Sequence, residues 1–191
     1  AEIDAFIEKF QSEFSDGAAE SGAEQNAEPV IVEVGDLKLR VQDSGQGTGL
    51  PIVFIHGFGG DLTNWMLIQA GLSGTHRTVT FDLPGHGGSA KSGGEGRPGT
   101  FAATVSALLE KLEIAKAHVV AHSLGGAIAL ELAKAHPEKV ASLSLIAPAG
   151  LGKDINMAFI NGFITEDRRK TLEPVLQYPV HDKSLIPPNL I

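Results

Sequence analysis

The rhythm of apolar and polar positions changes near residue 30. Before it, Ile3, Phe6, Ile7, Phe10 and Phe14 recur three and four residues apart, the spacing that lines one face of a helix. The pattern predicts a short amphipathic helix over residues 2–14, so the first 14 residues read as one segment. Residues 15–29, SDGAAESGAEQNAEP, contain too few large apolar side chains to bury a core and read as a flexible acidic linker. The apolar face of the leading helix is expected to dock on the domain that follows or on something N-terminal to it. From Val30 the alternation has period two: VIVEV and LKLRVQD flank Gly35-Asp36, a hairpin signal.

Four short apolar runs follow, PIVFIHGFGG, RTVTFDLPGHG, AHVVAHSLGG and VASLSLIAPAG. Runs of this length closed by glycine suit buried parallel strands. Between them, Phe101, Val105, Leu108, Leu109 and Leu112 mark one helix, and Leu124, Ile128 and Leu132 another. Strands alternating with helices predict βαβ crossovers, an α/β fold and a mostly parallel sheet covered on both faces. GGSAKSGGEGRPG reads as a glycine-rich surface loop. Beyond Gly150 the alternation stops, and residues 151–191 read as helix and loop ending in the extended IPPNLI.

Composition narrows the function classes. The 191 residues are 42% hydrophobic and 20% charged, which suits a soluble globular domain with a core. A formal net charge of −8 argues against nucleic acid as a partner, since phosphate binding needs clustered Lys and Arg. No apolar run approaches the roughly 20 residues that span a bilayer, and AEIDAFIEKF lacks the basic and apolar regions of a secretory signal. The absence of cysteine excludes disulfides and thiolate chemistry. A cytoplasmic location is the default expectation.

Candidate chemistry lies at three turns that follow strands, where open α/β sheets gather function. In Ala121-His122-Ser123-Leu124-Gly125-Gly126, a serine stands on a sharp strand-to-helix turn, the G-x-S-x-G pattern with Ala121 in the first place. Such a turn exposes the hydroxyl above the sheet, and the helix start beyond it favours developing negative charge. The alternative is a serine capping an ordinary helix. In His56-Gly57-Phe58-Gly59-Gly60, glycines let the chain turn so that the Phe58 N–H, with that of Leu124, could form a two-donor oxyanion hole. A phosphate-binding loop would need different glycine spacing or a following Gly-Lys-Ser/Thr. His56 reads as a residue that stabilises the turn rather than as a base. In Asp82-Leu83-Pro84-Gly85-His86-Gly87, Asp82 and His86 make a weak metal pair with no third ligand at suitable spacing, and read as braces of the loop. His122, Gly57 and Gly125 complete the supporting turn residues.

HGFGG, DLPGHG and AHSLGG, in this order and spacing, resemble the N-terminal half of an α/β-hydrolase over residues 30 to about 150. A narrower resemblance is carried by the leading helix and acidic linker, DLPGHG, and LIAPAGLGKDINMAFINGF, which are similar to the acetyltransferase subunit of acetoin dehydrogenase. In that family an α/β-hydrolase domain follows a lipoyl domain. The resemblance implies acyl transfer: Ser123 would take an acetyl group from a dihydrolipoyl arm and coenzyme A would accept it. Both groups would be substrates, with no cofactor bound by this chain and no metal. Other subunits of a 2-oxo acid dehydrogenase-like complex are implied as partners, beside the carrier-linked or small-molecule acyl substrate. Without the resemblance, the same site suits a serine hydrolase of an ester or thioester, or a catalytically incomplete binding module.

The fold expects an acid and a histidine after the serine. His136 is expected at the far edge of the sheet, and His181-Asp182 has the reverse order and falls where a cap should lie. By the resemblance, residues 151–191 begin that cap, and two further strands carrying the acid and the histidine lie beyond residue 191. An open apolar edge on ASLSLI is then expected.

Overall fold

The computed structural model describes residues 27–44, 47–91, 96–165 and 174–175. The expected N-terminal helix, nearly all of the acidic linker, His181-Asp182 and IPPNLI lie outside the described residues. The described residues up to Leu151 form one compact unit, and those from Gly152 belong to a second.

In the first unit, β1 (Val30–Val34) and β2 (Leu37–Asp43) form the expected hairpin, with Val34 opposite Leu37 across Gly35-Asp36. Four strands follow: β3 (Ile52–Ile55), β4 (Thr78–Phe81), β5 (Ala117–His122) and β6 (Val140–Ile146). They assemble in the order β1-β2-β4-β3-β5-β6. β2 runs antiparallel to β1 and β4, and the other pairings are parallel. β3 is therefore central, and its downstream end opens between β4 and β5.

Helices α2 (Pro98–Lys111) and α3 (Leu124–Ala135) cover one face. Pro98 starts α2, where its missing N–H and fixed φ cost nothing. The expected apolar positions Phe101, Val105, Leu108 and Leu109 of α2 and Ile128 and Leu132 of α3 share one buried cluster with Val53, Ile55, Val79, Phe81 and Val119. Each large aliphatic side chain so buried contributes about 1.5–3 kcal/mol.

The other face carries an element that the apolar pattern does not mark. A 3-10 turn (Leu62–Trp65) leads into α1 (Met66–Leu72), and Trp65 packs on Phe54 with ring centroids 5.2 Å apart. The polarity of α1 is inverted: Gln69 is fully buried, whereas Met66, Leu67 and Ile68 are exposed, Leu67 at 82%. Gln69 lies over the polar side of β4. Its amide donates to the Thr78 carbonyl (3.4 Å) and accepts from the Thr80 hydroxyl (3.3 Å), while Ser44 and Thr78 hydroxyls pair at 2.7 Å. Burial requires these groups to be satisfied, and this network satisfies them.

Two-sided coverage is not uniform. On β5 buried and half-buried residues alternate, and on β6 Ser142, Ser144 and Ile146 are exposed. Among the described residues, helices cover both faces over β3 and β4 but only one face over β5 and β6. An apolar run alone does not distinguish a strand buried on both faces from one buried on one.

In the second unit, α4 (Met157–Thr165) begins where the Asn156 side chain accepts from the Phe159 N–H at 3.0 Å. Phe159 and Phe163 stack one turn apart, 5.8 Å between centroids.

Candidate active site

Ser123 stands between β5 and α3 with φ 52° and ψ −117°. For a non-glycine residue this conformation costs on the order of 1–3 kcal/mol. An ordinary capping serine has extended backbone and points its hydroxyl at the first helix amides. Ser123 does neither, since its side chain makes no capping hydrogen bond. Leu124 is the first residue of α3, where backbone N–H groups lack an intrahelical acceptor.

Close packing of the elbow relies on Gly125 and Gly126, the second and third residues of α3. A Cβ on Gly125 would collide with the carbonyl oxygens of Ile55 and His56 at the end of β3. A Cβ on Gly126 would fall 2.5 Å from Pro148 Cβ, on the segment that leaves β6. The first turn of α3 is thus wedged between the exits of β3 and β6.

The β3 exit carries His56 to Gly60. His56 is fully buried, and its Nε2 accepts from the Leu83 N–H at 2.9 Å. Nε2 therefore holds no proton, and Nδ1–H donates to the Gly57 carbonyl at 2.8 Å. Burial lowers the pKa of His56, outweighing the opposite influence of that carbonyl. The ring is a neutral clamp, and both of its nitrogens are committed to backbone. The Gly57 carbonyl also accepts from the Gly60 N–H at 3.1 Å. Because the Gly57–Phe58 peptide is planar and trans, the Phe58 N–H is turned away from the imidazole. A Cβ on Gly57 would lie 3.0 Å from Ser123 Cβ, so the loop bearing Phe58 runs directly beside the serine.

The β4 exit braces that loop. Asp82 is fully buried. One carboxylate oxygen accepts from the Leu62 N–H and the other from the Gly88 N–H, each at 2.7 Å. Arg40 approaches the second oxygen at 3.6 Å. His56–Leu83 and Leu62–Asp82 together tie both ends of loop 56–62 to adjacent residues of the β4 exit. His86 is half-buried, and its Nδ1 lies 3.2 Å from the Pro84 carbonyl. Its ring meets those of His56 and Phe58 edge-on, at centroid distances of 5.1 and 6.1 Å. His122 is exposed at the end of β5.

The structure brings Ser123, Gly57 and the elbow glycines together, with His56, Asp82 and His86 tied into the two neighbouring loops. It does not bring a described imidazole into hydrogen-bonding contact with the Ser123 hydroxyl. His136 terminates α3 and pairs with Glu138 at 3.4 Å, and the helix between puts it about 20 Å from Ser123. Among the described residues, no group of three or more His, Asp or Glu side chains is placed to hold a metal ion, and no helix is long and apolar enough to cross a membrane. Two contributions were not singled out as part of the site in the sequence: the Leu83 amide, and the Ile146–Ala149 segment that touches the elbow.

A central parallel sheet with a serine elbow at the end of β5 defines a class. Residues 51–179 match the alpha/beta hydrolase fold family, and this chain belongs to it. Within that class, the chain is similar to the dihydrolipoyllysine-residue acetyltransferase component of the acetoin cleaving system of Pseudomonas putida. The two are 45% identical over 188 residues, covering 97% of this chain and 50% of the relative. The component of the same name from Cupriavidus necator is 33% identical over 186 residues, 97% of this chain and 49% of the relative. The chain thus spans about half the length of the curated relatives it matches. Among solved structures, a meta-cleavage product hydrolase from Pseudomonas fluorescens shares the fold with a TM-score of 0.74. It is 24% identical, with 87% of this chain and 61% of that one covered.

Proposed function

We propose that this chain carries the nucleophile and the oxyanion donors of an acetyltransferase acting between a dihydrolipoyl carrier and coenzyme A. The observation that carries the reading is Ser123: a strained serine that does not cap its own helix, beside a loop whose peptide orientation is fixed by a neutral histidine. The name of the two relatives supports acetyl as the group and dihydrolipoyl as its carrier.

In this reading Ser123 Oγ attacks the thioester carbonyl while a histidine outside the described residues takes its proton. The tetrahedral oxyanion accepts hydrogen bonds from the Phe58 and Leu124 N–H groups, an interaction worth about 3–4 kcal/mol per donor in related chemistry. Collapse expels the dihydrolipoyl sulfur, which takes the proton from the histidine and leaves an acetyl-serine. The thiol of coenzyme A then gives its proton to the same base and attacks the acetyl-serine, and on collapse the base returns that proton to Ser123 Oγ as acetyl-coenzyme A leaves. Other subunits of an acetoin cleaving system would deliver the loaded carrier. With water as the acceptor, the same steps describe an esterase or thioesterase, which the hydrolase fold accommodates equally up to the acyl-enzyme.

The test uses the chain expressed with its flanking coding sequence. A fluorophosphonate probe should label Ser123, and Ser123→Ala should abolish labelling. Acetyl-dihydrolipoamide offered with coenzyme A should yield acetyl-coenzyme A in excess of acetate. Acetate alone would establish the hydrolase instead, and no labelling at Ser123 would remove both enzymatic readings.

A further inference from the structure

The backbone of Ser123 is held from the β6 side as well as the β3 side. Its N–H donates to the Ile146 carbonyl at 3.1 Å, and its carbonyl accepts from the Ala149 N–H at 2.9 Å. The peptide groups on both sides of the serine are thus tied to the four residues that leave β6. The same Ser123 carbonyl accepts from the Gly126 N–H at 2.9 Å, so the helix start and the β6 exit share one acceptor. Pro148 packs against Gly126 closely enough that a Cβ there would be excluded.

The geometry of this turn is unusual in its own right. Among the described residues, three non-glycines have positive φ: Glu113, Ser123 and Ala147. Ala147, at φ 41°, lies between the two residues that bond to Ser123. An L residue is held there only where the surroundings over-determine it, and such residues gather at functional sites. The side chains of Ala147, Pro148 and Ala149 offer no acid, base or nucleophile. Whatever the turn contributes passes through its backbone.

We propose that the turn Ala147–Ala149 is a positioning element for Ser123: through the Ile146 carbonyl and the Ala149 N–H it fixes the rotation of both peptide groups flanking the serine, and so the direction of the Cα–Cβ bond that carries the hydroxyl. This rests on the reading of Ser123 as a nucleophile.

The variant that isolates the effect is Ala149→Pro, which removes the donor, with Ala149→Gly, which keeps it, as the rescue. In the chain expressed with its flanking coding sequence, the rate of fluorophosphonate labelling per folded molecule should fall roughly 10- to 100-fold in Ala149→Pro, as misplacement of a reacting group does. It should return to near the parent rate in Ala149→Gly. If Ala149→Pro does not fold, Gly126→Ala decides: its methyl displaces Pro148 while alanine favours the helix, so labelling should slow without loss of helix content. Equal labelling in the parent and the folded variants overturns the positioning role, as does equal slowing by Pro and Gly. A parent protein that is not labelled at Ser123 overturns the nucleophile reading first and this inference with it.

Discussion

His56 shows how one residue organises two loops through its ring nitrogens alone. Its Nδ1–H and Nε2 are both used on backbone groups, one on each side of the ring. The arrangement requires the neutral tautomer, because a proton on Nε2 would face the Leu83 N–H. Burial holds the folded-state pKa below the ordinary 6.5. Below about 6.5 the unfolded chain therefore takes up a proton that the folded chain does not, and stability falls as the pH drops through that value. Above it the contribution is constant. The carboxyls of Asp61 and Glu110, both held below the ordinary range, titrate at lower pH than this. His56→Leu should lower stability by about 1–3 kcal/mol near neutral pH, where it leaves the buried Leu83 amide without its acceptor and the Gly57 carbonyl with the Gly60 N–H alone. The gap in melting temperature between the two proteins should narrow on acidification from about pH 7.5 to about pH 5.5; a gap of constant size would contradict the neutral clamp. The sequence pointed to His56 as a turn residue from its place in HGFGG. It could not point to Leu83, because a backbone N–H looks the same in every residue type but proline.

At the scale of elements, legibility followed the hydrophobic pattern. The hairpin, the four parallel-type strands and helices α2 and α3 all carry their core residues at the period their geometry demands. Helix α1 does not. Three consecutive apolar residues face solvent there while Gln69 points inward to Thr78 and Thr80, so the period that betrays a helix is cancelled. The outcome depends on β4 presenting threonines on that face, which is a tertiary fact. Two substitutions separate this arrangement from a conventional amphipathic helix. Leu67→Glu should change stability by no more than about 0.5 kcal/mol, as exposed positions do. Gln69→Ala should cost about 1–3 kcal/mol, since the Thr80 hydroxyl loses its acceptor in a buried setting. Chemical denaturation of the two variants measures both, and the reverse ranking would contradict the inverted polarity. The elbow was legible for the opposite reason: Gly125 and Gly126 are residue types that their close contacts all but require, and they follow a serine at a strand end.

For the first unit as a whole, the sheet order matters more than any single contact. β6 stands at one end of the described sheet, with Ser142, Ser144 and Ile146 exposed along it. An edge of this kind is a template for another strand. The 191-residue chain on its own should self-associate as concentration rises, and Ser144→Lys should shift it toward the monomer. Size-exclusion chromatography across a concentration series reads this directly; an unvaried chain that stays monomeric throughout would show the edge to be protected.

The same order governs how the sheet can be assembled during synthesis. β3 pairs with β4 and β5, and both are made after it. The apolar run IVFI therefore leaves the ribosome with no partner strand until the 22 residues up to Thr78 have followed, about 1–4 seconds at ordinary translation rates. From β4 onward each new strand meets a neighbour already in place. A strand at the centre of the finished sheet is thus the one that waits longest for company, and it is in that interval that a nascent chain of this sequence has most need of a chaperone.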